Sequence, residues 1–243
     1  MSAGPLEHRT AVVTGAGRGI GRALAEALAA AGAAVVVSSR TAADLTAVTA
    51  AIAARGGTAE AVVADALDRE EARLPVRRAV ETFGRLDILV NNVGGRGGTG
   101  PDDFERLLTL NLTTAWWTTS AALPVMRARR YGRIINIGSG LSERAGASFG
   151  YTAAKHGLAG LTRALAQATG AEGITVNCLC PGWTATSGVD LAAPGARERA
   201  EAENAQRRVL DAAELGPVAV LLASPAGAAV TGQVWHVDGG WKL

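Results

Sequence analysis

Tyr151 and Lys155 are the residues whose types and spacing most directly suggest chemistry. Of 24 Lys plus Arg, only Lys155 and Lys242 are lysine, so the chain writes arginine wherever a positive charge suffices. Lys155 follows Tyr151 by four positions at the opening of a helix-like stretch, and residues four apart share a helical face. A free phenol titrates near ~10 and is a poor acid–base group at neutral pH, whereas a neighbouring cation favours its ionised form. The flexible ammonium of a lysine can also donate to a ribose hydroxyl while staying beside the phenol. Tyr-x-x-x-Lys also arises by accident on helices, so the pair needs company.

That company comes from strand ends. Ser139 closes Ile137-Gly138-Ser139, twelve residues before Tyr151, where its hydroxyl can donate to a carbonyl or serve as an ordinary turn serine. Ser142 is a fallback for it. Asn91-Asn92-Val93-Gly94 ends an earlier apolar run. Asn111 falls inside the following helical stretch, where a short polar side chain is locally unfavourable and so asks for a reason.

These residues must be held by alternating apolar runs and amphipathic segments. Strand-like runs occupy residues 11–14, 34–38, 61–64, 88–91, 133–138, 174–179 and 234–237. Helix-like stretches fill 20–31, 42–54, 69–83, 102–129, 151–169 and 211–223, with Pro75 kinking the third or marking its late start. Short apolar strands separated by helices predict an α/β fold, a doubly wound Rossmann-type parallel sheet of about seven strands with helices on both faces. In such sheets ligands bind beyond the carboxyl ends of the strands. At 243 residues and 24.6 kDa the chain suits a single domain, residues 1–243. Only the segment 184–208, rich in Ala, Arg and Glu, breaks the rhythm, as a lid or as a solvated helix.

The first strand runs into Thr14-Gly15-Ala16-Gly17-Arg18-Gly19-Ile20-Gly21. Glycines there let the backbone approach a pyrophosphate, and the helix that follows offers free N–H groups and a partial positive charge. The register is T-G-x-x-x-G-x-G, carried by Gly15, Gly19 and Gly21, which favours a dinucleotide over a plain tight turn. An NAD site usually carries Asp or Glu at the end of the second strand. This chain has Ser38-Ser39-Arg40, and the next carboxylate is Asp44 in the following helix. Arg40, with Arg18, can grip a 2′-phosphate, so the sequence favours NADPH, although many arginines here are merely solvated.

Taken together, Thr14–Gly21, Asn91-Asn92-Val93-Gly94, Ser139, Tyr151-x-x-x-Lys155, Pro181-Gly182, Thr231-Gly232-Gln233 and Val237-Asp238-Gly239-Gly240 resemble the classical short-chain dehydrogenases/reductases. The likeness covers essentially the whole chain and is greatest towards 3-oxoacyl-thioester reductases and related ketoreductases. It implies that Tyr151 is the acid–base residue, Ser139 orients the carbonyl, Lys155 binds the nicotinamide ribose, and Asn111 helps hold a relay water. It further implies that Asp65 and Ala66 contact adenine, that Asn91 lies near the adenosine ribose, and that Gly182, Thr184 and Thr186 position the nicotinamide amide. Gly15, Arg18, Gly19, Ile20, Ser39, Arg40 and Gly94 complete the expected NADP(H) contacts. The resemblance also suggests a homotetramer or homodimer, and it favours the lid for 184–208. Val93 departs from the usual alanine, and Gly94, Gly95, Gly97, Gly98 and Gly100 make an unusually loose loop.

The expected activity is NADPH-dependent reduction of a ketone or 3-oxoacyl thioester. An NAD-dependent alcohol or hydroxysteroid dehydrogenase, or a non-catalytic nucleotide-binding scaffold, are the alternatives. Composition narrows the partners to a small molecule. A net charge of +2 and 4% aromatics argue against nucleic acid, no apolar run reaches the ~20 residues of a membrane span, and the first eight residues lack a signal peptide's pattern. A cytoplasmic protein with reduced Cys178 and Cys180 is expected. His8, His156 and His236 lack metal-ligand spacing. Trp116 and Trp117 suit core or interface, while Trp183, after Pro181-Gly182, is placed to line a substrate pocket.

Overall fold

Seven segments pair in parallel as one sheet in the computed structural model, which describes residues 4–96, 103–146, 148–186 and 191–243. In chain order the elements begin β1 (Thr10–Thr14), α1 (Gly19–Ala30), β2 (Ala34–Ser39), α2 (Ala42–Ala53), β3 (Thr58–Val63), α3 (Leu74–Phe83) and β4 (Ile88–Asn91). The second half contributes α4 (Phe104–Leu108), α5 (Thr114–Arg129), β5 (Gly132–Ile137), α6 (Phe149–Thr169) and β6 (Ile174–Pro181). A two-strand ribbon of β7 (Thr184–Ala185) and β8 (Leu210–Asp211) brackets α7 (Ala196–Glu203), and α8 (Gly216–Ala223) and β9 (Val234–Val237) follow. The sheet order is β3-β2-β1-β4-β5-β6-β9.

Side chains alternate between the two sheet faces. Val13, Val35, Val37, Val90 and Ile135 pack with Leu24 and Leu28 of α1, Leu45 and Ile52 of α2, and Leu222 of α8. Val12, Val36, Leu89, Ile134 and Val176 meet Val76 of α3, Met126 of α5 and Leu165 of α6 on the other face. With both faces covered, central strands can be continuously apolar, and β1, β5 and β6 are buried along their whole length. No helix among the described residues is long and apolar enough to cross a membrane.

Four elements differ from the sequence expectation, one being the helix expected over 211–223, which opens as a 3₁₀ turn at Ala212–Leu215 and becomes α8 at Gly216. β3 begins three residues earlier than expected, because as an edge strand it exposes Thr58, Ala61 and Val63 and shows no apolar run. Pro75 marks the late start of α3, lying in its first turn after a short 3₁₀ turn at Glu71–Arg73. The helix expected over 102–129 is broken at Thr109–Thr113 by a π-helical turn; Asp102 lies outside the described residues. Trp116 is 43% exposed on α5 and is therefore no core residue. Cys178 and Cys180 are packing residues, free and buried, with Sγ atoms 3.7 Å apart behind Gly138, where a Cβ would strike both sulfurs.

Strand order reverses between β1 and β4, and the gap there is stitched by side chains. Thr14 donates from Oγ1 to the Val90 carbonyl at 3.3 Å, and Thr14 Oγ1 in turn accepts from the Asn92 N–H at 3.1 Å. The Asn92 carboxamide donates to the carbonyls of Thr14 and Gly15 at 3.0 Å each. At the opposite end of the sheet, buried Asp87 accepts from the Thr10 N–H at 2.9 Å and from Arg85 through two bonds of 2.6 Å. Arg9 adds a third charged contact at 3.2 Å. Removing that carboxylate strands the Thr10 N–H while both guanidiniums, about a quarter exposed, can turn to water. Asp87→Ala is therefore expected to cost about 3 kcal/mol in urea unfolding, and a loss below ~1 kcal/mol would show that the clasp is not holding the sheet end.

Candidate active site

A cleft of about 510 Å³ opens beyond the carboxyl ends of β1, β2, β4, β5 and β6. The β1–α1 turn forms its floor at one end. Gly15 and Gly19 have φ of +63° and +56°, a region open to glycine at little cost, and a Cβ on Gly19 would come within 3.3 Å of Thr186. A Cβ on Gly21 would run into the Gly15 carbonyl. No side chain caps the twelve-residue helix α1, so its first-turn N–H groups face the cleft free for an anion.

Ser39 and Arg40 at the end of β2, with Arg18, line the rim, and Asp65 and Ala66 line the wall beyond β3. Asp44 lines it too: a Cβ on Gly17 would sit 2.9 Å from Ser39 Oγ and 3.0 Å from Asp44 Cβ. The sequence placed this carboxylate in α2; the structure turns it back towards the β1–α1 loop. Asn91 reaches the cleft at the end of β4, but its carboxamide nitrogen is committed inward, to Thr119 Oγ1 and Asn136 Oδ1 at 2.9 Å each.

At the other end the three candidate reactive groups converge. α6 begins at Phe149, so Tyr151 and Lys155 fall in its first two turns and on its buried side. Lys155 is 3% exposed and donates to the Ile137 carbonyl at 2.8 Å, and its Nζ lies 5.7 Å from the Tyr151 ring centroid. Ser139 follows β5 directly. Its Oγ accepts from the Leu141 N–H at 3.2 Å, which leaves its own hydroxyl proton free to donate into the cleft. Ser142, the fallback, is turned away: its Oγ accepts from the Ser139 N–H at 3.1 Å and forms the other half of a capping box.

Asn111 alone of the expected site residues does not line the cleft. It is buried in the π turn behind Gly94 and Gly95, accepting from the Gly95 N–H at 2.9 Å and donating to the carbonyls of Gly95 and Leu107 at 3.0 Å. The local conflict seen in sequence is thus resolved by a clamp on the loop beside Lys155. A Cβ on Gly94 would come within 2.7 Å of Asn111 Oδ1 and 3.2 Å of Lys155 Nζ, so Gly94 keeps this corner open. Gly182, Thr184 and Thr186 line the side opposite, Thr184 donating to the Gly182 carbonyl at 3.2 Å. Gly97–Gly100 of the glycine loop and residues 187–190 of the 184–208 segment lie outside the described residues.

Three further residues complete this end, and sequence reading found only one of them. Trp183 and Trp241 wall the cleft, and the Glu203 carboxylate on α7 takes both indole N–H groups on one oxygen, at 2.8 and 2.7 Å. Lys242 lies 3.6 Å from its other oxygen. Partial burial opposes the ionised form of Glu203, but the two indole donors and Lys242 outweigh it and hold this carboxyl below its ordinary range. These contacts span 20 and 38 residues, and no local pattern could have announced them.

The chain matches the model of a family described as "Enoyl-(Acyl carrier protein) reductase" over residues 15–242. It is 38% identical to D-beta-hydroxybutyrate dehydrogenase of Cupriavidus necator, covering 97% of this chain and 98% of that one. It is equally 38% identical to 3-oxoacyl-[acyl-carrier-protein] reductase of a Synechocystis strain, covering 98% of both. The solved structure of a Serratia marcescens short-chain dehydrogenase/reductase double mutant superposes with a TM-score of 0.92 at 35% identity, over 98% of this chain and all of that one. The chain belongs to the short-chain dehydrogenases/reductases. As a member it is an oxidoreductase of alcohol or carbonyl substrates with a nicotinamide cofactor, NAD or NADP, and the glycine cradle and uncapped helix described above fit such a dinucleotide.

The indole latch has a consequence for stability. Glu203→Ala is expected to cost about 2 kcal/mol and to shift tryptophan emission to the red, with Glu203→Gln, which keeps one acceptor, losing roughly half as much. Because the folded carboxyl ionises below its usual range, the latch's contribution is complete above the unfolded value of ~4.3 and fades as pH falls through the lower folded value. An emission spectrum unchanged by the alanine substitution would refute the latch.

Proposed function

We propose that this short-chain reductase uses NADPH to reduce a ketone or 3-oxoacyl thioester to a secondary alcohol. The observation that carries the reading is the convergence of Ser139, Tyr151 and Lys155 on one end of a cleft whose other end is built for a dinucleotide. When bound there, nicotinamide supplies the hydride. Ser139 donates its free hydroxyl proton to the carbonyl oxygen and fixes its direction. Tyr151 gives the proton that turns this oxygen into a hydroxyl. Lys155, anchored on the Ile137 carbonyl, sets a positive charge beside the phenol as that proton leaves, and its remaining donors are free for a ribose. Asn111 keeps Gly94 and Gly95 in place through the π turn, so a relay water would be held by the geometry of that turn rather than by the committed carboxamide.

The 184–208 segment serves as the cover of the substrate end, with α7 held down by its contacts to Trp183 and Trp241. Preference for NADPH rests on Arg40 and Arg18 at the rim, neither with an ion-pair partner among the described residues. Asp44 on the same wall favours the second reading, an NAD-linked dehydrogenase running the same chemistry towards the ketone.

One measurement tests the shared chemistry and a second separates the two readings. On a panel of 3-oxoacyl thioesters, simple ketones, quinones and steroids with NADPH, Tyr151→Phe should lower turnover by at least ~100-fold while the cofactor still binds; a mutant as active as the parent would remove Tyr151 from the chemistry. Arg40→Asp should raise the KM for NADPH by about 10-fold and leave that for NADH nearly unchanged. Equal effects on both cofactors would sink the preference, and a parent that binds NADH more tightly would establish the NAD reading instead.

A further inference from the structure

Arg96 occupies the substrate end of the cleft with no structural task of its own. Its guanidinium carbon lies 5.8 Å from the centroid of the Tyr151 ring and 5.5 Å from that of Trp183, so it sits between the proposed proton donor and a pocket wall. It is exposed, and among the described residues it has no hydrogen bond and no carboxylate partner. It shares that unpaired state with Arg18, Arg40 and Arg106 around the cleft, whereas Arg9, Arg22, Arg55, Arg73, Arg85, Arg127, Arg163 and Arg208 are each paired with an acid. What distinguishes Arg96 is its place over Tyr151 and Trp183.

The charges around it point one way. Asp44 and Asp65, the acidic residues lining the described cleft, both belong to its nucleotide end. Glu203 stands behind the indoles with one oxygen taken by Trp183 and Trp241 and the other facing Lys242. Arg106 lines the same end as Arg96, also exposed and also without an ion pair among the described residues. Beside the polar Ser139, Thr184 and Thr186, the apolar wall here is Tyr151, Trp183, Trp241 and Leu110, with Leu107 and Leu141 packed in the same cluster as Tyr151 and Trp241.

We propose that Arg96 is the anion-binding residue of the substrate pocket and that the substrate is an oxo acid, or the corresponding hydroxy acid, with an apolar body and a carboxylate a short reach from the reacting carbon. The proposal rests on the carbonyl-reductase reading above and narrows its substrate class. A planar guanidinium presents a fork that fits both carboxylate oxygens, and the flanking rings hold that fork in place and keep water from one side of it. The apolar body lies against the two indoles, and the carbonyl turns towards Ser139 and Tyr151. A neutral ester of the same acid keeps the carbonyl and the body but leaves the guanidinium without its counter-charge, so a site built this way discriminates against it.

The test uses acid and ester pairs that share one ketone: benzoylacetate with ethyl benzoylacetate, and acetoacetate with ethyl acetoacetate. In the wild-type enzyme kcat/KM should favour the acid over its ester by about 30-fold, the scale of a charge-assisted fork. Arg96→Ala should lower the acid by about the same factor and leave the ester within about 3-fold, and Arg96→Lys should restore part of the loss. Equal kcat/KM for acid and ester in the parent, or a parallel fall of both in Arg96→Ala, overturns the proposal. A second readout needs no turnover. With NADP⁺ or NAD⁺ saturating the protein, a ketone binds without reacting, and tryptophan emission from Trp183 reports it. The acids should bind Arg96→Ala at least about 10-fold more weakly than wild type and the esters equally well. Arg96-dependent binding without any turnover would discard the reductase reading and keep the anion site. Turnover of the esters alone, with no binding of the acids, would do the reverse.

Discussion

One hydrogen bond, from the Lys155 ammonium to the Ile137 carbonyl, ties the longest helix of the molecule to the carboxyl end of a central strand. A buried ammonium must be solvated by something, and no carboxylate pairs with it among the described residues, so backbone oxygen does this work. Because Ile137 is held in the sheet by its pairing with β6, the bond, together with the buried face of α6, sets the rotation of that helix about its axis. That rotation sets where the Tyr151 phenol lies. The next residues along the same strand, Gly138 and Ser139, inherit the same frame, and Gly94 and Asn111 close against Lys155 from the side. The proposed catalytic arrangement therefore depends on sheet register more than on any loop.

Steric vacancy is the complement of this bonding. Gly138 leaves room for two sulfurs behind the serine turn, and Gly140 leaves room for the Trp241 ring, which a Cβ would strike. Gly94 leaves room in front of Lys155. At these three positions a methyl group would press on groups packed around Ser139 and Lys155. Their φ values are not in the left-handed region, so it is close approach and not backbone freedom that demands glycine there.

How much of this was legible in the sequence follows from how local each signal is. Central strands were legible because burial on both faces makes them predominantly apolar runs, and the β1–α1 turn because its glycines and the following helix are adjacent in the chain. Tyr151 and Lys155 were legible because helical spacing alone puts them together. Edge strand β3 was misplaced by three residues because half of it faces water. Asn111 carried a visible local conflict but not its resolution, since a π turn has no residue signature of its own. Glu203, Trp241 and Asp44 were illegible as site residues, since only the fold brings them to Trp183 or to the phosphate turn. Arg96 was hidden differently: its neighbours in sequence are glycines, and its neighbours in space come from α6 and the end of β6.

The path of the chain around the cleft has an evolutionary reading. Much of one end of the cleft is lined by residues early in the chain, from Thr14 to Pro75, whereas Arg96, Arg106, Ser139, Tyr151, Trp183 and Trp241 line the other. The two sets meet near Lys155 and again where Thr186 approaches Gly19. Mutational drift in one half can therefore retune which alcohol or ketone is accepted while leaving dinucleotide binding intact. A scaffold divided in this way changes specificity by small steps, each starting from a working enzyme. Relatives about equally distant from this chain, bearing names as different as a hydroxybutyrate dehydrogenase and an acyl-carrier-protein reductase, are what such a division would leave behind.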